Sequence, residues 1–171
     1  MFAVLRACIT FPGVVVHELA HRWFCWLFGA RVVKACYFRL GNPAGYVVYE
    51  APRNTYHHIW ICVGPFVVNT VIGAVVAYHG ALRLLPLGNA GAMDYVLVWL
   101  GISIAAHAFP STGDAGSIWR GLWTMPAPIF ARLIGTPIVG LIYLGSLGSM
   151  LWLDIAYGLA VAVWLPRWLL G

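Results

Sequence analysis

Residues 11–30 form an almost wholly apolar segment that nevertheless contains two histidines, a glutamate and an arginine. The two histidines and the glutamate belong to the element His17-Glu18-Leu19-Ala20-His21. An ionised side chain at bilayer depth costs roughly 2.5–3.5 kcal/mol on insertion scales, so such groups persist where they face the protein interior and perform a function. This segment therefore restricts the chain to folds that enclose a polar cluster within apolar helices.

The spacing of His17 and His21 suits a metal site. One helical turn separates them, which places both imidazoles on one face of a helix, within reach of a single tetrahedral Zn²⁺. Glu18 lies beside them and can serve as general base toward a water molecule at the metal. An HExxH element can also arise by chance on a solvated helix, but the apolar surroundings argue against a solvated face. We predict that His17 and His21 bind zinc and that Glu18 is catalytic.

The composition predicts an integral, multi-pass membrane protein, and we expect it in the cell membrane. Of the 171 residues, 62% are hydrophobic and 9% are charged, which is far more apolar than a soluble domain of this size. This length accommodates about four spanning helices of roughly 20 residues, so we expect a single domain over residues 1–171. The basic residues form no run, which gives no indication of nucleic-acid binding.

Apolar runs punctuated by glycine and proline predict an all-α polytopic fold with a β-hairpin-like loop after the first helix. The loop has strand-forming residues on either side of a turn-like sequence at 41–45. A Trp-rich stretch at 117–132 is expected to form a short interfacial helix and loop. The four transmembrane helices are expected over residues 2–28, 56–78, 93–109 and 137–165, and the two strands over 31–37 and 46–49. Pro12-Gly13 is expected to loosen or kink the first of these helices.

An open catalytic zinc needs a third protein ligand, which must come from outside the first helix. Asp114 is the best-placed donor, because Pro110 breaks the third helix just before it and a break at membrane depth is expected to border a wet cavity. The other candidates are His107, Glu50 and Cys25, and Cys25 is better explained by packing. Three further histidines, near the ends of the second helix, are expected at the interface: His57, His58 and His79.

Together these elements resemble the intramembrane site-2 protease family of zinc metalloproteases, of which the chain would be a minimal, divergent member. That family has an HExxH helix, a hairpin-like segment, a helix with a Gly-Pro-x-x-Asn element and a helix whose Asn-x-x-Pro-x-x-x-Leu-Asp-Gly motif supplies a zinc-ligating aspartate. The corresponding elements here, in the same order, are HELAH at 17–21, GYV at 45–47, GPFVVN at 64–69 and HAFPSTGD at 107–114. The last one departs from the pattern, with His107 in place of the asparagine.

The resemblance implies a zinc-dependent endopeptidase that cuts membrane-spanning protein substrates within the lipid bilayer. It implies that Asp114 completes the zinc site and that Asn69 and His107 bind substrate. Taken alone, Asn69 could equally be a buried amide between helices, and His107 could be hydrogen-bonded to backbone. The edge of the hairpin is a plausible strand on which an unwound substrate segment would dock.

Two other functions fit the same residues. One is a non-proteolytic membrane subunit of a larger complex that retains the metalloprotease-like fold. The other is an ion or proton pathway through the intramembrane ionisable residues. The intact Glu18 favours the enzyme, because a structural zinc site has no need of a general base.

Overall fold

A computed structural model of the chain describes residues 2–84, 88–124 and 126–170. The described part is mostly helical and contains one two-stranded antiparallel sheet, as the sequence predicts. A π-helical segment, Ala160–Trp164, joins the last two helices. The elements are α1 (Phe2–Ile9), α2 (Phe11–Leu27), β1 (Val32–Cys36), β2 (Tyr46–Tyr49), α3 (Thr55–Leu84), α4 (Ala92–Ala106), α5 (Thr112–Thr124), α6 (Ile129–Met150), α7 (Leu153–Leu159) and α8 (Leu165–Leu170).

Helix α3, with 30 residues, is the axis along which its neighbours are arranged. α2 runs antiparallel beside its first half: Phe24 packs on Gly64, and the carbonyl of Gly13 accepts a 3.2 Å hydrogen bond from Asn69. α4 lies beside the second half, and the carbonyl of Ile104 in its last turn accepts a 3.0 Å hydrogen bond from the same Asn69. Asn69 therefore marks the level, midway along α3, where α2 begins and α4 ends.

Helices α3 and α4 approach each other through small residues. A Cβ on Gly101 would lie 2.4 Å from the Cβ of Ala77 and 2.6 Å from the backbone oxygen of Gly73. A Cβ on Gly80 would lie 2.5 Å from the carbonyl oxygen of Asp94, at the start of α4. Small residues at one-turn spacing allow this close backbone approach in membrane helices. Glycine is required at these contacts because no side chain fits.

The predicted helix over residues 2–28 is fully interrupted close to the expected kink at Pro12-Gly13, since α1 and α2 are separate and meet at Thr10. Pro12 explains the break. It lacks an N–H group, and in a continuous helix its ring would clash with the carbonyl of Cys8, whereas in the first turn of α2 neither problem arises.

The predicted helix over residues 137–165 is wrong in its continuity, because the chain turns between α6 and α7. Trp152 occupies the turn with a left-handed φ of 64°. Arg6 of α1 holds both sides of it: its guanidinium lies 2.6 Å from a carboxylate oxygen of Asp154 and donates to the carbonyl of Ser149 at 3.2 Å. The break is thus stabilised by a residue distant in sequence.

The remaining boundaries differ less. The predicted helix 56–78 extends to Leu84 as α3, and the predicted helix 93–109 ends at Ala106 as α4. Two described helices, Thr55–Leu84 and Ile129–Ser149, are long and apolar enough to cross a membrane.

The α3–α4 contact predicts opposite effects for two glycine substitutions. Gly101→Ala should lower the free energy of unfolding by about 1–3 kcal/mol, because the methyl group has no space. Gly140→Ala in α6, where nothing lies within 4 Å of the added Cβ, should leave stability unchanged or raise it by up to about 1 kcal/mol through helix propensity. Thermal and denaturant unfolding in detergent measures both. Equal effects of the two substitutions would contradict the close approach.

Candidate metal centre

The two histidines of the HExxH element face each other inside the protein. His17 and His21 lie one turn apart on α2 and both are buried. Their Nε2 atoms are 3.1 Å apart. A carboxylate oxygen of Asp114, Oδ1, lies 3.5 Å from Nε2 of His21. One potential ligand atom from each of the three residues lies within 4.8 Å of the other two.

The other ring nitrogen of each histidine is hydrogen-bonded to a backbone carbonyl. His17 Nδ1 lies 2.7 Å from the carbonyl oxygen of His107, and His21 Nδ1 lies 2.8 Å from that of Ile61. A carbonyl can only accept, so each Nδ1 must carry the proton and each neutral ring presents an Nε2 lone pair. Two lone pairs 3.1 Å apart repel unless a proton or a metal cation lies between them.

The donor types and two of the three separations between the potential ligand atoms fit zinc. Around a tetrahedral ion with bonds of about 2.0–2.1 Å, neighbouring ligand atoms lie roughly 3.3–3.4 Å apart. The observed separations of 3.1 Å and 3.5 Å bracket that value. Neutral imidazole and carboxylate are also the ligand types of catalytic zinc sites, which keep a further position open. The structure thus brings together the residues that the sequence predicts as ligands.

Asp114 is held by a cap at the start of α5. Its Oδ2 atom accepts hydrogen bonds from the backbone N–H of Ser111 at 2.8 Å and from the Ser111 hydroxyl at 2.6 Å. Ser111 and Asp114 thus form a capping box, which orders the first turn of α5 and leaves Oδ1 directed at His21. The break between the two helices is short, since α4 ends at Ala106 and α5 already begins at Thr112.

Glu18 lies beside these residues, buried and pressed against the hairpin. A Cβ on Gly45 would lie 2.7 Å from Cγ and 3.0 Å from Oε1 of Glu18. Glycine at this position allows the backbone that leads into β2 to pass directly over the carboxylate.

A cavity of about 610 Å³ adjoins the site. Residues of α2 and α5 line one side of it, including His17, Glu18, His21 and Asp114, and residues 41–49, which comprise β2 and the loop before it, line another. β2 pairs with β1 along one edge only in the described structure. The arrangement provides a polar site with a strand edge alongside it.

Three cavity residues were not identified from the sequence. His58, expected at an interface, is buried, and its Nε2 lies 2.9 Å from the hydroxyl of Ser117. Arg120 and Arg6 also line the cavity. Burial raises the pKa of Tyr49, so its phenol remains protonated in the cavity wall. These positions were missed because they depend on how α1, α3 and α5 pack, which local sequence does not reveal.

The other candidates from the sequence lie apart from the ligand atoms. His107 lines the cavity, and its Nε2 is engaged with the hydroxyl of Thr10 at 2.7 Å. Asn69 is fully buried, is not among the cavity-lining residues and donates to backbone carbonyls. Cys25 packs in an apolar cluster with Phe24, and the exposed Glu50 pairs with Arg31.

The two oxygens of Asp114 have different contacts, and this difference predicts how its variants will behave. Asp114→Asn keeps an acceptor for Ser111 but replaces the carboxylate with a poor zinc ligand, so zinc affinity should fall by more than about 100-fold while helix content is retained. The control, Ser111→Ala, should cost about 1 kcal/mol of stability and at most about tenfold in zinc affinity. Zinc titration and circular dichroism distinguish them. Unchanged affinity in Asp114→Asn would exclude Asp114 as a ligand.

Comparison with known families supports this chemistry. Residues 10–127 match the family model described as "Putative zincin peptidase". The matched region runs from the start of α2 to the end of α5 and includes His17, Glu18, His21 and Asp114, and membership implies a zinc metallopeptidase-like protein. No curated protein and no solved structure matches the chain. Since the matched region is more than half of the 171 residues, the chain belongs to this zincin peptidase family.

Proposed function

We propose that the chain is a zinc-dependent intramembrane endopeptidase of the site-2 protease type, acting on membrane-spanning proteins. The observation that carries this proposal is the convergence of His17, His21 and Asp114 beside Glu18, in a cavity that also has a strand edge in its wall. A zincin peptidase need not act inside a membrane. The proposal therefore also depends on the depth of the site and on its means of holding a substrate.

The helix breaks around α3 support a site at bilayer depth. α3 is continuous, whereas the helices around it break at Thr10, at residues 107–111 and at residues 151–152. In a four-crossing arrangement, α1–α2 and α4–α5 would each be one interrupted crossing, while α6 is long enough to cross by itself. Two of the breaks have contacts with the midpoint of α3 or with each other: Asn69 donates to His107, whose ring lies 2.7 Å from Thr10. Irregular backbone within a bilayer is tolerated where it lines a wet cavity. The break at residues 107–111 contributes to the lining of the cavity beside the site.

The exposed surface of α6 supports a protein embedded in a membrane. α6 leaves a row of large apolar side chains exposed, as expected of a helix that faces lipid in an integral, multi-pass membrane protein. Its exposed apolar residues include Ile129, Phe130, Leu133, Ile134, Leu141, Leu144 and Leu147.

The chemistry follows from the residues at the site. His17, His21 and Asp114 would hold zinc, which when bound supplies a Lewis acid that polarises the scissile carbonyl and makes water acidic enough to attack at neutral pH. The Glu18 carboxylate accepts a proton from the attacking water as the C–O bond forms. Glu18 then donates that proton to the amine nitrogen as the C–N bond breaks, which restores the carboxylate.

A substrate helix must unwind before its carbonyls become accessible. The free edge of β2 offers backbone groups that would pair with an extended segment and replace the hydrogen bonds lost from the helix. The start of this edge, Gly45, lies against Glu18. A peptide docked on β2 would therefore pass close to the general base.

The role of Glu18 predicts a loss of activity without loss of the site. Glu18→Gln should keep the fold and bound zinc but lower the rate constant for peptide hydrolysis by about 10²–10⁴-fold, because the proton acceptor is gone. The control, Glu50→Gln, removes an exposed hairpin acid and should cut at the wild-type rate. The assay is cleavage of a reconstituted membrane-spanning peptide, with and without chelator. Wild-type protein that binds zinc but cuts no such peptide would favour a non-proteolytic subunit.

The contact between hairpin and base predicts a position-specific effect of glycine replacement. Gly45→Val must displace Glu18 or the start of β2, so hydrolysis should fall at least tenfold with zinc retained, on the order of one lost positioning contact. Gly41→Val, in the same cavity wall, is the control, since the nearest atom to its Cβ is Arg39 Nε at 3.6 Å. Equal activity of the two variants would contradict the close passage of Gly45 over Glu18.

A further inference from the structure

The orientation of the two histidines depends on two backbone carbonyls, and both of these depend on α3. His21 Nδ1 donates to Ile61 within α3. His17 Nδ1 donates to His107, just beyond the end of α4. A backbone carbonyl inside a helix normally accepts from the N–H four residues later, and one beyond a helix end is not held by the helix. Some other residue must therefore make the Ile61 carbonyl available and hold the His107 carbonyl in place.

Pro65 makes the Ile61 carbonyl available. The residue four positions after Ile61 is Pro65, which lies inside α3 and has no N–H to donate. The Ile61 carbonyl is therefore released from the helical pattern and accepts the Nδ1 proton of His21 at 2.8 Å instead. Pro65 is fully buried.

Asn69 holds the His107 carbonyl in place. Its side-chain nitrogen donates to the carbonyl of His107 at 3.2 Å, the same carbonyl that accepts from His17. The nitrogen also contacts the carbonyls of Gly13 and Ile104. The opposite orientation of the amide would set an oxygen against three carbonyl oxygens, so the nitrogen must face them. Its Oδ1 is buried and accepts no hydrogen bond from the described residues.

We propose that Pro65 and Asn69 are positioning residues of the metal centre, one for each histidine. Pro65 frees the acceptor that fixes the His21 tautomer, and Asn69 anchors the acceptor that fixes the His17 tautomer. The GPFVVN element would then act behind the zinc ligands rather than on substrate, which replaces the substrate-binding role expected for Asn69. This inference rests on the zinc site of the proposed function but not on its proteolytic activity.

For Pro65 a structural role and a positioning role predict different results. Pro65→Ala returns an N–H that competes with His21 for the Ile61 carbonyl, so zinc affinity should fall about tenfold, the lower end for changes behind metal ligands. A merely structural proline would leave affinity unchanged, because alanine is the better residue inside a helix. Pro137→Ala, at the proline inside α6, is the matched control and should leave zinc affinity unchanged. Zinc is titrated into the full-length protein in detergent.

For Asn69 the control lies at the next residue of α3. Asn69→Leu should weaken zinc binding about 10- to 100-fold and shift the visible spectrum of the Co²⁺-loaded protein, because His17 loses its fixed acceptor. Thr70→Val removes the 2.8 Å contact with the Tyr157 hydroxyl between α3 and α7 and should lower only thermal stability. If Asn69→Leu does not fold, Asn69→Ser, which keeps one donor, should give a smaller shift in the same direction.

A measurement on the unsubstituted, metal-free protein makes the test independent of variant folding. Nitrogen-15 NMR should find the protons of neutral His17 and His21 on Nδ1, and protons on Nε2 would overturn the proposal. Folded Pro65 and Asn69 variants with wild-type zinc affinity and Co²⁺ spectrum would also overturn it. Wild-type protein that binds no zinc would instead refute the proposed function, and the tautomers would then decide this inference alone.

Discussion

A buried polar group must find a hydrogen-bond partner inside the protein, and this constraint governs the centre of the molecule. The helix breaks beside α3, and Pro65 within α3, leave backbone carbonyls that the helical pattern does not satisfy. The imidazoles of His17 and His21 and the amide of Asn69 supply donors to them. The two histidine hydrogen bonds that satisfy these carbonyls therefore also direct two Nε2 lone pairs to one point.

Asp114, on the other side of the site, also combines a structural contact with a contact at the metal site. One carboxylate oxygen caps α5 through Ser111, and the other approaches His21. The cap fixes the carboxylate before any metal binds, so little side-chain freedom remains to be lost on binding. Glu18, held by the close passage of Gly45, is placed in the same way by packing. A preorganised site of this kind suits proton transfer in the proposed reaction.

Sequence reasoning reached the HExxH helix and the hairpin, because spacing and turn residues are local signals. It also named Asp114, which the structure brings to the histidines, although its role as a ligand stays a prediction. It missed the turn at Trp152, because no proline or glycine occurs between residues 149 and 157 and the turn depends on Arg6. It left Asn69 open between a buried amide and a substrate-binding residue, because an amide's partners depend on how three helices meet. The four-crossing topology remains a proposal.

The most direct test of the account is the identity of the atoms around the metal. Anomalous scattering at the zinc absorption edge, measured on crystals of the full-length protein, locates the ion and its ligands. The account predicts one zinc bound by Nε2 of His17, Nε2 of His21 and a carboxylate oxygen of Asp114, each at about 2.0–2.2 Å. A nitrogen of His107 in the place of Asp114, or zinc bound elsewhere in the chain, would contradict it.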